Sequence, residues 1–130
     1  MIRGYITDSG APLVDVTVAG IRRQAVIPAL VDTGFDGDLS LPIGIAVGLG
    51  LELVLSITID LGDGTIKENE LVFAGMARLG DGKPRRVEIL LTTSQEALVG
   101  RSWFREGSLS MNFKTGELAI EEVPSEADYR

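Results

Sequence analysis

The sequence contains no cysteine and no histidine. Without cysteine there are no disulfides, no thiolate nucleophiles and no cysteine zinc sites. Without histidine, Ser-His-Asp and Cys-His catalysis, imidazole proton transfer and His-based metal sites are all excluded. The acid–base side chains left are carboxylates, Lys, Tyr and Arg, and 19 of the 130 residues are Asp or Glu. Positive charge is scarce: the formal net charge is −7, which argues against a non-specific grip on nucleic acid or an anionic membrane surface. Met1-Ile2-Arg3-Gly4 has neither the basic start nor the apolar core of a secretory leader, so the expected location is cytoplasmic. The one long hydrophobic run, Leu39 to Ile59, is interrupted by Pro42, Gly44, Gly48 and Gly50. Its second half alternates with period two, as a strand does, rather than reading as a spanning helix.

A chain of this length suggests one domain, burying roughly two-thirds of its unfolded surface without help from a metal or disulfide. The expected domain covers residues 1–123, followed by a polar tail over 124–130. Strand signals dominate. Val14, Val16 and Val18 alternate with Asp15 and Thr17; Gly20 and two arginines turn the chain, and Ala25 to Val31 returns. Leu39-Ser40-Leu41 stops at Pro42. Ile43 to Gly50 has the length of a loose helical turn, weakened by three glycines. From Leu51 to Leu61 every odd position is Leu or Ile, predicting a strand with one buried face. Gly62-Asp63-Gly64 is a tight-turn signal, and the chain returns through Leu71, Phe73, Gly75, Ala77 and Leu79. Val87, Ile89 and Leu91 follow a second Gly-Asp-Gly turn. A short helix is expected at Arg101 to Glu106, and a last hairpin pairs Ser108–Phe113 with Glu117–Ile120. Strands at this spacing with glycine-rich turns predict an all-β barrel or sandwich.

The most informative stretch is Ala29-Leu30-Val31-Asp32-Thr33-Gly34. An apolar strand delivers one aspartate to a turn, and a carboxylate at the end of a buried strand is costly unless something stabilises it. A faint repeat accompanies it: Ala29-Leu30-Val31 then Asp38-Leu39-Ser40-Leu41, and Ala97-Leu98-Val99 then Ser108-Leu109-Ser110-Met111. Read structurally, the repeat suggests two related half-units, each an apolar strand, a turn and a second short strand.

Leu30-Val31-Asp32-Thr33-Gly34, the glycine-tipped hairpin Asp60 to Thr65, and Leu98-Val99-Gly100 before a short helix resemble the retropepsin-like aspartic proteases in order and spacing. The stretch Asp32 to Pro42 looks especially like the bacterial single-domain members. The resemblance spans about residues 10 to 120. It implies a closed β-barrel with one short C-terminal helix and a flap hairpin, and an aspartic endopeptidase needing no cofactor or metal. Two carboxylates sharing one proton can deprotonate water and protonate a peptide carbonyl, because like charges a few Å apart cannot both ionise. The chain holds one Asp-Thr-Gly triplet, so the resemblance implies a homodimer pairing Asp32 with its own copy, Thr33 and Gly34 supporting the catalytic loop. It further implies that Gly34, Asp36, Gly62, Asp63 and Gly64 hold an extended peptide substrate, and that Leu98, Val99, Gly100 and Arg101 brace the loop, with Asp36 contacting Arg101. Phe35 departs from the usual small residue after the triplet, and the final hairpin extends past the usual last strand.

Other readings stand beside this one. Asp32 as an ordinary turn-capping aspartate is the plain alternative. Asp36-Gly37-Asp38 lacks the spacing and closing glutamate of a calcium loop. Gly62-Asp63-Gly64 reads as a hairpin turn before it reads as a phosphate cradle. Trp103 reads as core, its indole N–H needing a partner, and Arg22-Arg23 and Arg85-Arg86 as solvated turn charges. A non-catalytic peptide-binding or dimerisation module on the same fold is the alternative function, and an unrelated small barrel carrying Asp-Thr-Gly by accident is a third.

Overall fold

The computed structural model describes residues 1–60, 64 and 66–122, and the backbone alone over 55–60 and 66–69. The expected tail over 124–130 and the flap-tip residues Gly62 and Asp63 lie outside the described residues. The strands are β1 (Ile2–Ile6), β2 (Pro12–Ala19), β3 (Gln24–Asp32), β4 (Leu39–Pro42), β5 (Glu52–Asp60), β6 (Ile66–Leu79), β7 (Arg85–Thr92), β8 (Ala97–Gly100), β9 (Ser108–Asn112) and β10 (Glu117–Glu121). One α-helix, α1 (Ile43–Leu49), and one 3-10 turn, Arg101–Phe104, complete the described elements.

The sheet runs β5-β6-β7-β4-β8-β3-β2-β1-β10-β9, and a further pairing of β6 with β2 closes β6, β7, β4, β8, β3 and β2 into a barrel. Closure removes two sheet edges that would otherwise need covering. It works because β2 divides its outer edge: Tyr5 and Ile6 of β1 pair with Leu13 and Pro12, while Leu79 to Met76 of β6 pair with Val16 to Ala19. Two pairings inside the barrel are parallel, β3 with β8 and β4 with β7. The barrel interior is built from the alternating apolar residues read in the sequence: Val14, Val16 and Val18, Leu39 and Leu41, Val87 and Ile89 are all buried.

Three elements differ from the sequence expectation. The α-helix lies at Ile43–Leu49, where the sequence suggests a loose helical turn weakened by glycines, and not after Gly100. Ala46 and Leu49 bury one face of it, and Gly50 ends it in the left-handed region at φ 73°, its N–H reaching back to the carbonyls of Ala46 and Val47. Packing of that face outweighs the glycine penalty. The segment after Gly100 is a single 3-10 turn, closed when the Gly107 N–H donates to the Phe104 carbonyl. Strand β1 was without a period-two signal because its middle inward position is Gly4. A Cβ there would stand 2.3 Å from the Leu13 carbonyl oxygen, so close approach of β1 to β2 demands the glycine.

The hairpin β5–β6 reaches beyond the barrel. Leu53 is 56% exposed although its parity predicts burial. Among the described residues, strand β5 is an edge strand paired with β6 alone, and its register shifts between Leu53 and Leu55, as a bulge does. Farther along β6, Phe73 packs against the core while Val72 and Ala74 are buried on the opposite face. Among the described residues, no helix is long and apolar enough to cross a membrane.

Candidate active site

Strand β3 enters the barrel with Ala29 and Val31 buried and ends on Asp32, which is half-buried. Its parallel neighbour β8 matches it residue for residue: Ala29 faces Ala97, Leu30 faces Leu98, Val31 faces Val99, and Asp32 faces Gly100. The repeat read in the sequence is therefore a physical pair of strands. Leu30 and Leu98, of opposite parity to the core residues, are half-buried side by side. They form an apolar strip on the other face, leading up to Asp32.

After Asp32 the chain turns at once. The Gly34 N–H donates to Asp32 Oδ1 at 2.9 Å and the Phe35 N–H to the Asp32 carbonyl at 3.2 Å. This fixes the carboxylate's rotamer through its own loop, as Asx turns do. The loop is then tied to the end of β8. Arg101 N–H donates to the Phe35 carbonyl at 2.8 Å, and Gly100 N–H to the Asp38 carbonyl at 2.9 Å. Contact is so close that a Cβ on Gly100 would lie 1.9 Å from the Gly37 carbonyl oxygen and 2.9 Å from the Phe35 ring. A Cβ on Gly37 would lie 2.6 Å from the same ring. Phe35 thus packs over the backbones of two glycines. The extra bulk after the triplet is absorbed beneath the loop.

Asp38, where the loop joins β4, gathers more donors than Asp32 does. Its Oδ2 accepts from the Glu88 N–H of β7 at 2.9 Å, and its carbonyl from Trp103 Nε1–H at 2.9 Å. Its Oδ1 lies in short contact with the Ser102 hydroxyl, which also stands 2.9 Å from the Gly37 carbonyl. Trp103 is 4% exposed, so its indole partner matters. The Arg85 guanidinium sits 3.7 Å over the Trp103 ring, a cation–π contact. Burial lowers the Arg85 pKa, while the charges of Asp38 and Glu122 oppose that shift. A groove of about 320 Å³ opens beside this cluster, lined by Asp38, Val54, Ala74, Arg86, Val87 and Glu88.

The sequence-predicted residues divide accordingly. Asp32, Thr33, Gly34, Leu98, Val99, Gly100 and Arg101 come together at the ends of β3 and β8. Asp36 is exposed, and no ion pair joins it to Arg101. The guanidinium instead reaches the Thr33 carbonyl at 3.5 Å. The expected acid–arginine contact is absent because the loop is anchored through Asp38, two residues on. Gly64 is exposed with φ 88°, in keeping with a turn at the hairpin end. Sequence reasoning missed the structural roles of Asp38, Ser102 and Arg85. The signal was present for Asp38: it is a carboxylate abutting the fully buried strand β4, and that demands partners. Arg85 is no free turn charge, while Arg86 makes only a 3.9 Å pair with Glu52 between well-exposed side chains. Among the described residues, no three His, Cys, Asp or Glu side chains converge on a metal-sized position.

Asp32 can accept a proton or hold a water, but one carboxylate cannot act as base and acid at the same moment. No protein-family model matches the chain, and no curated protein matches it. The fold does have a counterpart among solved structures. A retropepsin-like aspartic protease from Rickettsia conorii superposes with a TM-score of 0.67 over 93% of this chain and 89% of that one, at 17% sequence identity.

Proposed function

The chain has a retropepsin-like fold, and from that premise we propose that it is an aspartic endopeptidase active as a homodimer. The observation that carries this reading is the position of Asp32. It ends a strand whose inward residues Ala29 and Val31 are buried, in register with Gly100, on a loop whose Gly34 N–H orients the carboxylate. The apolar strip of Leu30 and Leu98 supplies a surface on which a substrate side chain can rest.

In the dimer, Asp32 and the partner subunit's Asp32 share one proton. The ionised carboxylate takes a proton from a water as the water oxygen bonds to the peptide carbonyl carbon. The protonated carboxyl gives its proton to the carbonyl oxygen, forming a gem-diol. The tetrahedral species collapses by returning a hydroxyl proton to the dyad while the amide nitrogen receives one. The C–N bond breaks, and the dyad is left with a single proton. Substrate lies extended, held by backbone hydrogen bonds as an added strand, under a flap formed by the β5–β6 hairpin. Strand β9, one of the two ends of the sheet order, has an edge unpaired among the described residues that would be open to a second copy.

The rival reading is a non-catalytic peptide-binding or dimerisation module on the same fold. The bulk of Phe35 is one feature that favours it, and that ring packs on Gly37 and Gly100. The test is Asp32→Asn assayed for cleavage of oxidised insulin B chain. Loss of cleavage with an unchanged sedimentation coefficient supports the dyad. Unchanged cleavage by the variant, or a wild-type chain that stays monomeric at micromolar concentration and cuts nothing, overturns it.

A further inference from the structure

Between β3 and β4, residues 33–38 form no regular ladder, yet a catalytic carboxylate must be held within about 0.5 Å of its working position. Asx bonding at Gly34 fixes Asp32 only relative to its own loop. Something must fix the loop relative to the barrel. We propose that Asp38 is a positioning residue for Asp32, clamping the catalytic loop to β7, to β8 and to the 3-10 turn at once. This rests on the reading of Asp32 as the catalytic carboxylate.

Four donors from three separate elements reach this one residue. Glu88 N–H comes from β7, Gly100 N–H from the end of β8, and the Ser102 hydroxyl and Trp103 Nε1–H from the 3-10 turn. Both carboxylate oxygens are engaged, one by a backbone N–H and one by a hydroxyl. Hydrogen bonds to a charged acceptor are the strong kind. No such anchoring serves Asp36, which is exposed and forms no ion pair with Arg101. Arg85 completes the clamp from behind. Its guanidinium covers the Trp103 ring, whose indole N–H donates to the Asp38 carbonyl, and the Asp38 charge favours the charged form of the guanidinium.

The chemistry of the clamp predicts which replacement works. An asparagine at 38 can accept from Glu88 N–H through its oxygen and donate through its amide to Ser102 Oγ. Ser102 then keeps its own proton for the Gly37 carbonyl. Alanine offers neither bond and leaves a backbone donor without its partner.

The experiment compares wild type, Asp38→Ala and Asp38→Asn by two readouts: steady-state cleavage of oxidised insulin B chain, and amide hydrogen exchange at Gly34, Phe35 and Gly100. None of these three amides bonds the Asp38 side chain. With Asp38→Ala we expect kcat to fall about 10- to 100-fold, as small misplacements of reacting groups do, with KM changed less than about 2-fold. The three amides should exchange roughly 10-fold faster. Asp38→Asn should restore both to within about 3-fold of wild type. Unchanged exchange and kcat in Asp38→Ala overturn the clamp, and so does equal impairment in Asp38→Asn. Should Asp38→Ala fail to fold, Ser102→Ala, which removes one donor only, gives the same comparison at a smaller scale. If wild type cuts nothing, or Asp32→Asn still cuts, the protease reading fails, and the exchange data alone decide whether Asp38 orders the loop.

Discussion

The end of β3 and the end of β8 are near-copies with different duties. Both run Ala-Leu-Val, both bury their first and third residues, and they lie parallel in register. Where they diverge, β3 continues Asp-Thr-Gly and β8 continues Gly-Arg-Ser. At the shared register position one strand places a carboxylate and the other places nothing at all beyond a backbone. The emptiness is functional: Gly100 lets the Asp32 loop lie against β8 closely enough for two backbone hydrogen bonds, from Gly100 to Asp38 and from Arg101 to Phe35. The pair is a repeated scaffold in which one copy presents a carboxylate and the other supports the loop that carries it.

The comparison is broken hardest at its empty side. Gly100→Ala puts a methyl group 1.9 Å from a backbone oxygen. No side-chain rotation relieves that, so a loss of about 3 to 5 kcal/mol is expected in a urea titration. Val99→Ala and Val31→Ala test whether the two arms carry equal weight in the core. Val99 is 0% and Val31 5% exposed, so each truncation should cost about 2 kcal/mol, and a difference between them above about 1 kcal/mol would refute the symmetry. Trp103→Phe keeps the packing but removes the indole donor. The Asp38 carbonyl still accepts from Gly100, so about 1 kcal/mol is expected, measured by the same titration. Smallest is the effect of Asp32→Asn on stability. The amide oxygen can still accept from Gly34, so the midpoint should shift by less than about 0.5 kcal/mol equivalent, although cleavage is lost. A large destabilisation there would mean that Asp32 supports the fold.

Much of the barrel was legible because its period-two stripes are strong: Val14 to Val18, Val87 to Leu91 and the last hairpin lie where alternation puts them. The triplet and the later apolar pair with glycine were legible as matched segments because both carry Ala-Leu-Val, and β3 and β8 lie paired in register. Three things were not. Strand β1 hides behind Gly4, which occupies an inward position without adding an apolar residue. The helix Ile43–Leu49 is made by tertiary packing of Ala46 and Leu49 against a local sequence that disfavours it. The Asp38 clamp depends on donors 50 to 65 residues away, and no local pattern announces such partners.

The parallel pairing of β3 with β8 also fixes when the site can exist. Arg101 meets the Thr33 carbonyl across 68 residues of chain, and those residues include β4, β5, β6 and β7. Contacts of that sequence separation form late and make folding slow. During synthesis, therefore, the aspartate emerges long before the glycine that seats its loop. It stays unseated until β8 has been made, so a chain stopped before Gly100 carries the triplet without its support.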